Sequence, residues 1–297
     1  MHKFLRSIGF GAYRRKKEIA GLLNELEKTA TKRRRIQIET DSNLCEIRAE
    51  VAPGMGLALV GETDEHGVFQ REYYYPYLLS SDVSSNVTCS IQRHTEKETF
   101  AGLLDETRVG ISLIFYLDNG FEYMERKLDH VSRKVTAVKL TGLSTEGKVL
   151  LPLYKTTKQI KKAQVAAKDR NNLLEAARNG DEDAIETLTI EDIDMYSQIS
   201  RRVLKEDIYS IVESSFMPSG IECDQYSVIG EIVQIEEKSN GLTHETVYDL
   251  TLNCNDMIFH VGIAQRDLMG EPMVGRRFKG QIWMQGVAAF EEGGDNE

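Results

Sequence analysis

The sequence predicts an α+β fold: an antiparallel β-rich N-terminal domain, a short helical middle segment and a small OB-like β-barrel at the C-terminus. Three observations lead there. Between Ile36 and about Leu153 the chain is a succession of short β-branched or aromatic runs bounded by Gly, Asn and Asp. After Pro152 it turns polar, rich in Ala and Lys and poor in strand formers. From Gly220 the strand pattern returns, about five short strands in roughly seventy residues, with glycines where a barrel must bend sharply. The expected boundaries are 1–155 for a β-rich α+β domain with an N-terminal helix, 156–217 for a helical connector, 218–290 for the OB-like barrel and 291–297 for an acidic tail.

The elements follow in order. Ile19, Leu22, Leu23 and Leu26 recur at helical spacing, so residues 16–29 read as an amphipathic helix. Strands are expected at IQIE, LCEIRAEV, LALVGE, VFQREYYY, VTCSI, ISLIFYL and VTAVKL. Thr95 to Glu98 has the capping-box pattern, with Phe100, Leu103 and Leu104 behind it, and predicts a helix among the strands. A hairpin turning at Asn119-Gly120 competes with a helical stripe of Phe121, Met124, Leu128 and Val131, and periodicity does not choose between them. A second hairpin is expected to turn through Ser144 to Gly147. Residues 171–216 read as packed short helices, with Gly180 as a C-cap, Asp181 opening the next turn and Thr189 capping a longer one. One such helical pair is not a repeat protein, because no second copy exists for it to stack on.

The 297 residues, 41% hydrophobic and 28% charged, suffice for two domains with real cores. Apolar runs such as Ile111 to Leu117 stop far short of the roughly 20 residues that span a bilayer. Arg6 sits where a signal peptide needs an uncharged apolar stretch, and Cys45, Cys89, Cys223 and Cys254 lie far apart with no CxxC pair. The expectation is a cytoplasmic protein with reduced thiols and no membrane segment. Charge is uneven: +7 over residues 1–40, −8 over 41–217 and −9 over 218–297. This polarity either draws partners to the basic end or is simply solvated.

Catalytic and cofactor motifs are missing. GxxxxGK[ST] does not occur, PGMGLALVGE lacks the third glycine of a dinucleotide fingerprint, and neither HxxxH nor GxSxG is present. No catalytic residue, cofactor or metal site is therefore assigned. The best interaction signal is Arg276, Arg277, Phe278 and Lys279 with Trp283, where cations and aromatics interleave as in a nucleic-acid stacking platform. The acidic C-terminal module opposes it, because phosphate binding relies on cations replacing counterions, so the favoured reading has Phe278 and Trp283 in the core and the arginines solvated. Lys32, Arg33, Arg34 and Arg35 form a second basic run that suits phosphates or acidic protein. Glu46, Arg48 and Glu50 alternate on one strand face, to pair with one another or with a ligand. Tyr73, Tyr74, Tyr75 and Tyr77 either fill a core face or stack on a ligand.

The segments MHKFLRSIGF, DEDAIETLTIEDID and VGRRFKGQIWMQG resemble an uncharacterised bacterial family known only as a domain of unknown function. The resemblance covers nearly the whole chain and implies a cytoplasmic bacterial protein, with no activity or residue role to carry over. The leading expectation is a non-enzymatic binding or regulatory protein of unknown partner, possible alternatives being a hydrolase whose His and carboxylates meet only in three dimensions, and single-stranded nucleic-acid binding through the C-terminal barrel.

Overall fold

The computed structural model describes residues 2–291 except 31, 40, 41, 65, 94–98, 154–156 and 222. The proposed capping box at Thr95 and all but the first residue of the acidic tail lie outside the described residues. The chain is α+β and strand-rich, built on two sheets.

The first sheet is an antiparallel meander of β1 (Lys32–Glu39), β2 (Ser42–Ala52), β3 (Met55–Thr63) and β4 (Phe69–Leu78). Pro76, which cannot donate to a ladder, sits in β4 at the sheet edge. Helix α1 (Lys16–Thr29) lies against β2 and buries the predicted stripe Ile19, Leu22, Leu23 and Leu26. Its first turn is closed by Glu18, whose carboxylate accepts the Arg15 N–H at 3.0 Å.

The second sheet has ten strands. They are β5 (Cys89–Arg93), β6 (Phe100–Glu106), β7 (Ile111–Leu117), β8 (Val135–Leu150), β9 (Ser215–Pro218), β10 (Gln225–Ser239), β11 (Thr246–Cys254), β12 (Met257–Ala264), β13 (Leu268–Met269) and β14 (Arg277–Phe290). Their order is β13-β8-β12-β11-β10-β14-β7-β6-β5, with β9 on β10. Because β8 also pairs with β14, hydrogen bonding runs in a ring through β8, β12, β11, β10 and β14.

Three expectations for the strand-rich part change. Phe100 to Glu106 is a strand held by β5 and β7, not the helix that its apolar residues suggested. Asn119-Gly120 opens helix α2 (Gly120–Leu128), which buries Phe121 and Met124, so the helical alternative holds and the hairpin does not. The turn expected from Ser144 to Gly147 is absent, because β8 continues through it with a bulge, held by β14 along one side and β12 and β13 along the other. Gly147 is there for contact and not for turning: a Cβ on it would lie 2.5 Å from the Phe278 ring.

Between β8 and β9 the chain forms α3 (Thr157–Arg178), α4 (Glu182–Val203) and α5 (Ile208–Ile211). α4 is one continuous helix capped by Asp181, whose carboxylate accepts the Ala184 N–H at 3.1 Å. Thr189 lies inside it, donating back to the Ile185 carbonyl at 2.8 Å, and is not a cap. Asp181→Ala is expected to cost about 1 kcal/mol, the usual worth of such a cap. Hydrogen exchange should show faster amides in the first turns of α4 with unchanged protection in β10 to β12; uniform loss would contradict a local role.

The N-terminal 3₁₀ turn, Lys3–Ile8, is tied to the second sheet. Ser7 donates to the Ser144 carbonyl at 2.6 Å, Asn240 to the Ile8 carbonyl at 2.8 Å, and Phe4 stacks on Trp283 with centroids 5.4 Å apart. Among the described residues, no helix is long and apolar enough to cross a membrane.

Candidate functional site

The two basic, aromatic-bearing segments singled out in the sequence fare differently. Phe278 and Trp283 are core side chains, 0% and 6% exposed. Trp283 lies under Phe4 and His2, and its indole N–H donates to Asp224 at 2.6 Å. Neither ring has a face for a base to stack on, in keeping with the reading of both as core side chains rather than with a stacking platform. Phe278 and Trp283 pair with Val149 and Leu143 of β8 and, an odd number of residues apart, lie on opposite faces of β14, where Phe278 packs over Gly147 and Trp283 is covered by His2, Phe4 and Tyr116. Arg277 is buried as well. Its guanidinium donates to the carbonyls of Leu151 at 2.9 and 3.1 Å, Tyr209 at 2.7 Å and Val212, pinning the end of α5 to the sheet. Burial lowers its pKa. Arg276 donates to the Glu271 carbonyl at 2.8 Å, and Lys279 lies over the Tyr209 ring at 4.4 Å, at the edge of a second cleft of about 640 Å³.

The N-terminal basic run leads to a better-built site. Lys32, Arg33 and Arg34 on β1 line a cleft of about 540 Å³, whose floor holds Glu46, Arg48 and Asp118. Arg35 does not line it. Antiparallel register sets Lys32 opposite Arg48 and Arg34 opposite Glu46, so two rim cations share a face with the floor. The next strand carries Ala58 opposite Arg48 and Gly56 opposite Glu50. These small residues make room for Tyr75 and Tyr77, since a Cβ at Gly56 would fall 2.7 Å from the Tyr77 hydroxyl. Asp118 arrives from the other sheet, just after β7, where its N–H donates to the Gly286 carbonyl at 2.8 Å. Asn119 fixes that junction by exchanging hydrogen bonds with the Ala288 backbone at 2.8 and 2.9 Å.

Arg48 holds the floor together. It donates from Nε to Glu46 Oε2 at 3.1 Å, from Nη1 to Asp118 Oδ2 at 2.9 Å, and from Nη2 to Glu46 Oε1 at 3.1 Å and the Asp118 carbonyl at 2.7 Å. The Tyr75 hydroxyl joins at 3.2 Å from Glu46 Oε1. Burial works against the Arg48 charge, yet Asp118, Tyr75 and Glu46 more than offset it and its pKa is raised. Burial likewise pushes the Tyr75, Tyr77 and Tyr116 phenols above their ordinary range. One polar atom is left over: Asp118 Oδ1 is buried and has no hydrogen-bond partner. Glu46 and Asp118 also border a void of about 10 Å³ behind the floor, room for a single water.

At the rim, Lys32 pairs with Glu50 at 2.7 Å and Arg33 donates to the Glu27 carbonyl, whereas the Arg34 side chain, exposed, makes neither ion pair nor hydrogen bond among the described residues. The sequence had marked Glu46 and Arg48 by their alternation, although not as a cluster shared between sheets. Nothing local marked Asp118, which lies 70 residues from Arg48.

A second buried ion cluster lies elsewhere. His260 Nδ1 is 2.8 Å from Asp249 Oδ1 and Nε2 is 2.8 Å from Asp82 Oδ2, with Lys238 Nζ 3.5 Å from Asp249. Both ring nitrogens are taken, and His260 lines neither cleft. Among the described residues, no group of three His, Cys, Asp or Glu side chains is placed to hold a metal ion.

No curated protein and no solved structure matches the chain. A family profile does, over residues 5–286, which is nearly the whole length. The match takes in most of the 3₁₀ turn, the first sheet, the second sheet as far as residue 286 of β14, the helices and every residue of the charged floor, and on it the chain belongs to the family described as "Domain of unknown function, E. rectale Gene description (DUF3881)".

Proposed function

We propose that this is a non-enzymatic binding protein with a regulatory or sensing role, and that its ligand sits in the cleft between β1, β2 and the start of α2. One observation carries the reading: a cleft of about 540 Å³ with a pre-formed, buried charged floor in which one carboxylate oxygen is unpaired. That volume lies within the roughly 300–1,000 Å³ usual for small-molecule sites. An unpaired buried acceptor is costly in a native fold unless something meets it. The ring of β8, β12, β11, β10 and β14 supports reading the larger sheet as a small barrel that serves as a rigid support, with Asp118 stitched to β14 beside it. Four free thiols, three of them buried, favour a reducing compartment such as the cytoplasm. The hydrolase alternative gains little from His260, whose nitrogens are both engaged away from the clefts.

Native mass spectrometry of freshly purified full-length protein at low salt tests the reading, comparing the wild type with Val287→Trp, which places an indole in the cleft without touching its charges. The expected result is a discrete retained mass on the wild type and a bare polypeptide for the variant. A mass that persists in Val287→Trp puts the ligand elsewhere. A bare wild type that also shows no thermal shift with a metabolite panel overturns the binding reading.

A further inference from the structure

We propose, resting on the cleft reading above, that the ligand is an amine-headed anion: a small molecule with an amino group at one end and a phosphate or carboxylate at the other. The two ends of the cleft ask for opposite chemistry. At the floor, the cation is fully committed inward, since Arg48 spends its donors on Glu46, Asp118 and Tyr75. It has little left with which to greet an anion. What remains unspent is acceptor capacity: two carboxyl groups face one guanidinium, and Asp118 Oδ1 has no donor. A hydroxyl would meet one lone pair, but an amino group brings two or three donors and, when protonated, a charge that balances the formal excess of carboxylate.

At the rim the balance reverses. Lys32, Arg33 and Arg34 succeed one another on an edge strand, and among the described residues Arg34 makes no ion pair or hydrogen bond through its side chain. A guanidinium with five donors in a fixed fork suits phosphate or carboxylate. Lys32, shared with Glu50, adds a second positive charge beside it. Between the ends the walls include Leu79 and Val287, so the body of the ligand meets apolar surface. An anion without an amine would use the rim alone, and an amine without an anion would use the floor alone.

The test has two arms. In the first, the mass retained by the wild type and lost by Val287→Trp is released and its composition determined. In the second, affinities are measured by calorimetry for matched sets: adenosine monophosphate with inosine monophosphate and adenosine, cytidine monophosphate with uridine monophosphate and cytidine, and glucosamine 6-phosphate with glucose 6-phosphate and glucosamine. In at least one set the amine-headed anion should bind about tenfold more tightly than either counterpart, the worth of one hydrogen bond to a charged group. Arg34→Ala should remove the advantage over the uncharged counterpart and keep the preference for the amine. Asp118→Asn, whose amide also donates, should bring the amino and oxo members to within about twofold; if that variant does not fold, the Arg34→Ala result still decides. A released ligand that lacks an amine or an anionic group sinks this inference and leaves the cleft reading standing. Loss of all retained mass and all binding sinks both.

Discussion

Arg48→Met is expected to lower the unfolding free energy by about 3–5 kcal/mol, the usual cost of removing one partner from a buried ion cluster. The side chain does three things at once. It compensates Glu46 and Asp118, which are 3% and 4% exposed. It satisfies oxygens on two different sheets, so that its loss loosens their contact as well as leaving charge behind. It also lies over the Tyr77 ring at 4.9 Å. Lysine would not replace it, because a single ammonium cannot reach Glu46, Asp118 and the Asp118 carbonyl together. Urea denaturation measures the loss. Combining Arg48→Met with Glu46→Gln and Asp118→Asn should recover at least half of it, since the stranded charge has then gone too. A single-variant loss below about 1 kcal/mol would mean that the floor is effectively solvated, as at an exposed pair.

The second large effect belongs to His260. His260→Ala is expected to cost about 3 kcal/mol, because Asp249, itself 3% exposed, keeps only Lys238 beside it and Asp82 loses its tie to the sheet. That tie matters because Asp82 sits in the segment that leads from β4 of one sheet to β5 of the other. The wild type should also carry a pH signature. Burial alone would lower the His260 pKa, but Asp249 and then Asp82 outweigh it and the pKa is raised. Stability from its protonation is therefore complete below the unfolded value of roughly 6.5 and is lost as pH rises through the folded value. The hydrogen bond from His260 depresses the Asp82 pKa, so that part is present above roughly 3.9 and is lost as pH falls. The cluster contributes most between about pH 4 and 6.5. Urea midpoints at pH 5.5 and 8.5 should fall more steeply with pH in the wild type than in His260→Gln. Equal slopes would show that His260 titrates alike in the folded and unfolded chain.

How much of this was legible in the sequence depends on the distance over which each feature is determined. The buried face of α1 could be read directly, because Ile19, Leu22, Leu23 and Leu26 encode it within three turns. The strand from Val135 to Leu150 could not be read whole, because Ser144, Glu146 and Gly147 look like a turn until β14 is known to press Phe278 against that glycine. Phe100 to Glu106 misled for the same reason: apolar residues that fit a helix are claimed by strands on both sides. In the cleft, Lys32 to Arg35 announced charge and Glu46 with Arg48 announced alternation. The member that completes the floor, Asp118, is an ordinary aspartate at the end of a strand until the two sheets meet. The Arg276 to Trp283 segment shows the converse, since cations and aromatics in alternation describe a buried strand as well as an exposed one, and only what covers each face tells them apart.

The ring of strands also sets a timetable for biosynthesis. β8 is complete at Leu150, but the strands that flank it, β12 and β14, end at Ala264 and Phe290. During translation, at about 5–20 residues per second, the 140 residues from Leu150 to Phe290 take roughly 7–28 s to appear. Through that interval a sixteen-residue strand whose Val138, Leu140 and Leu143 are buried in the folded protein has no partner along most of its length. The first sheet and α1 can assemble early, because their contacts are local, whereas the ring must wait for long-range pairing. The nascent chain thus carries an unpaired, aggregation-prone edge late into its synthesis.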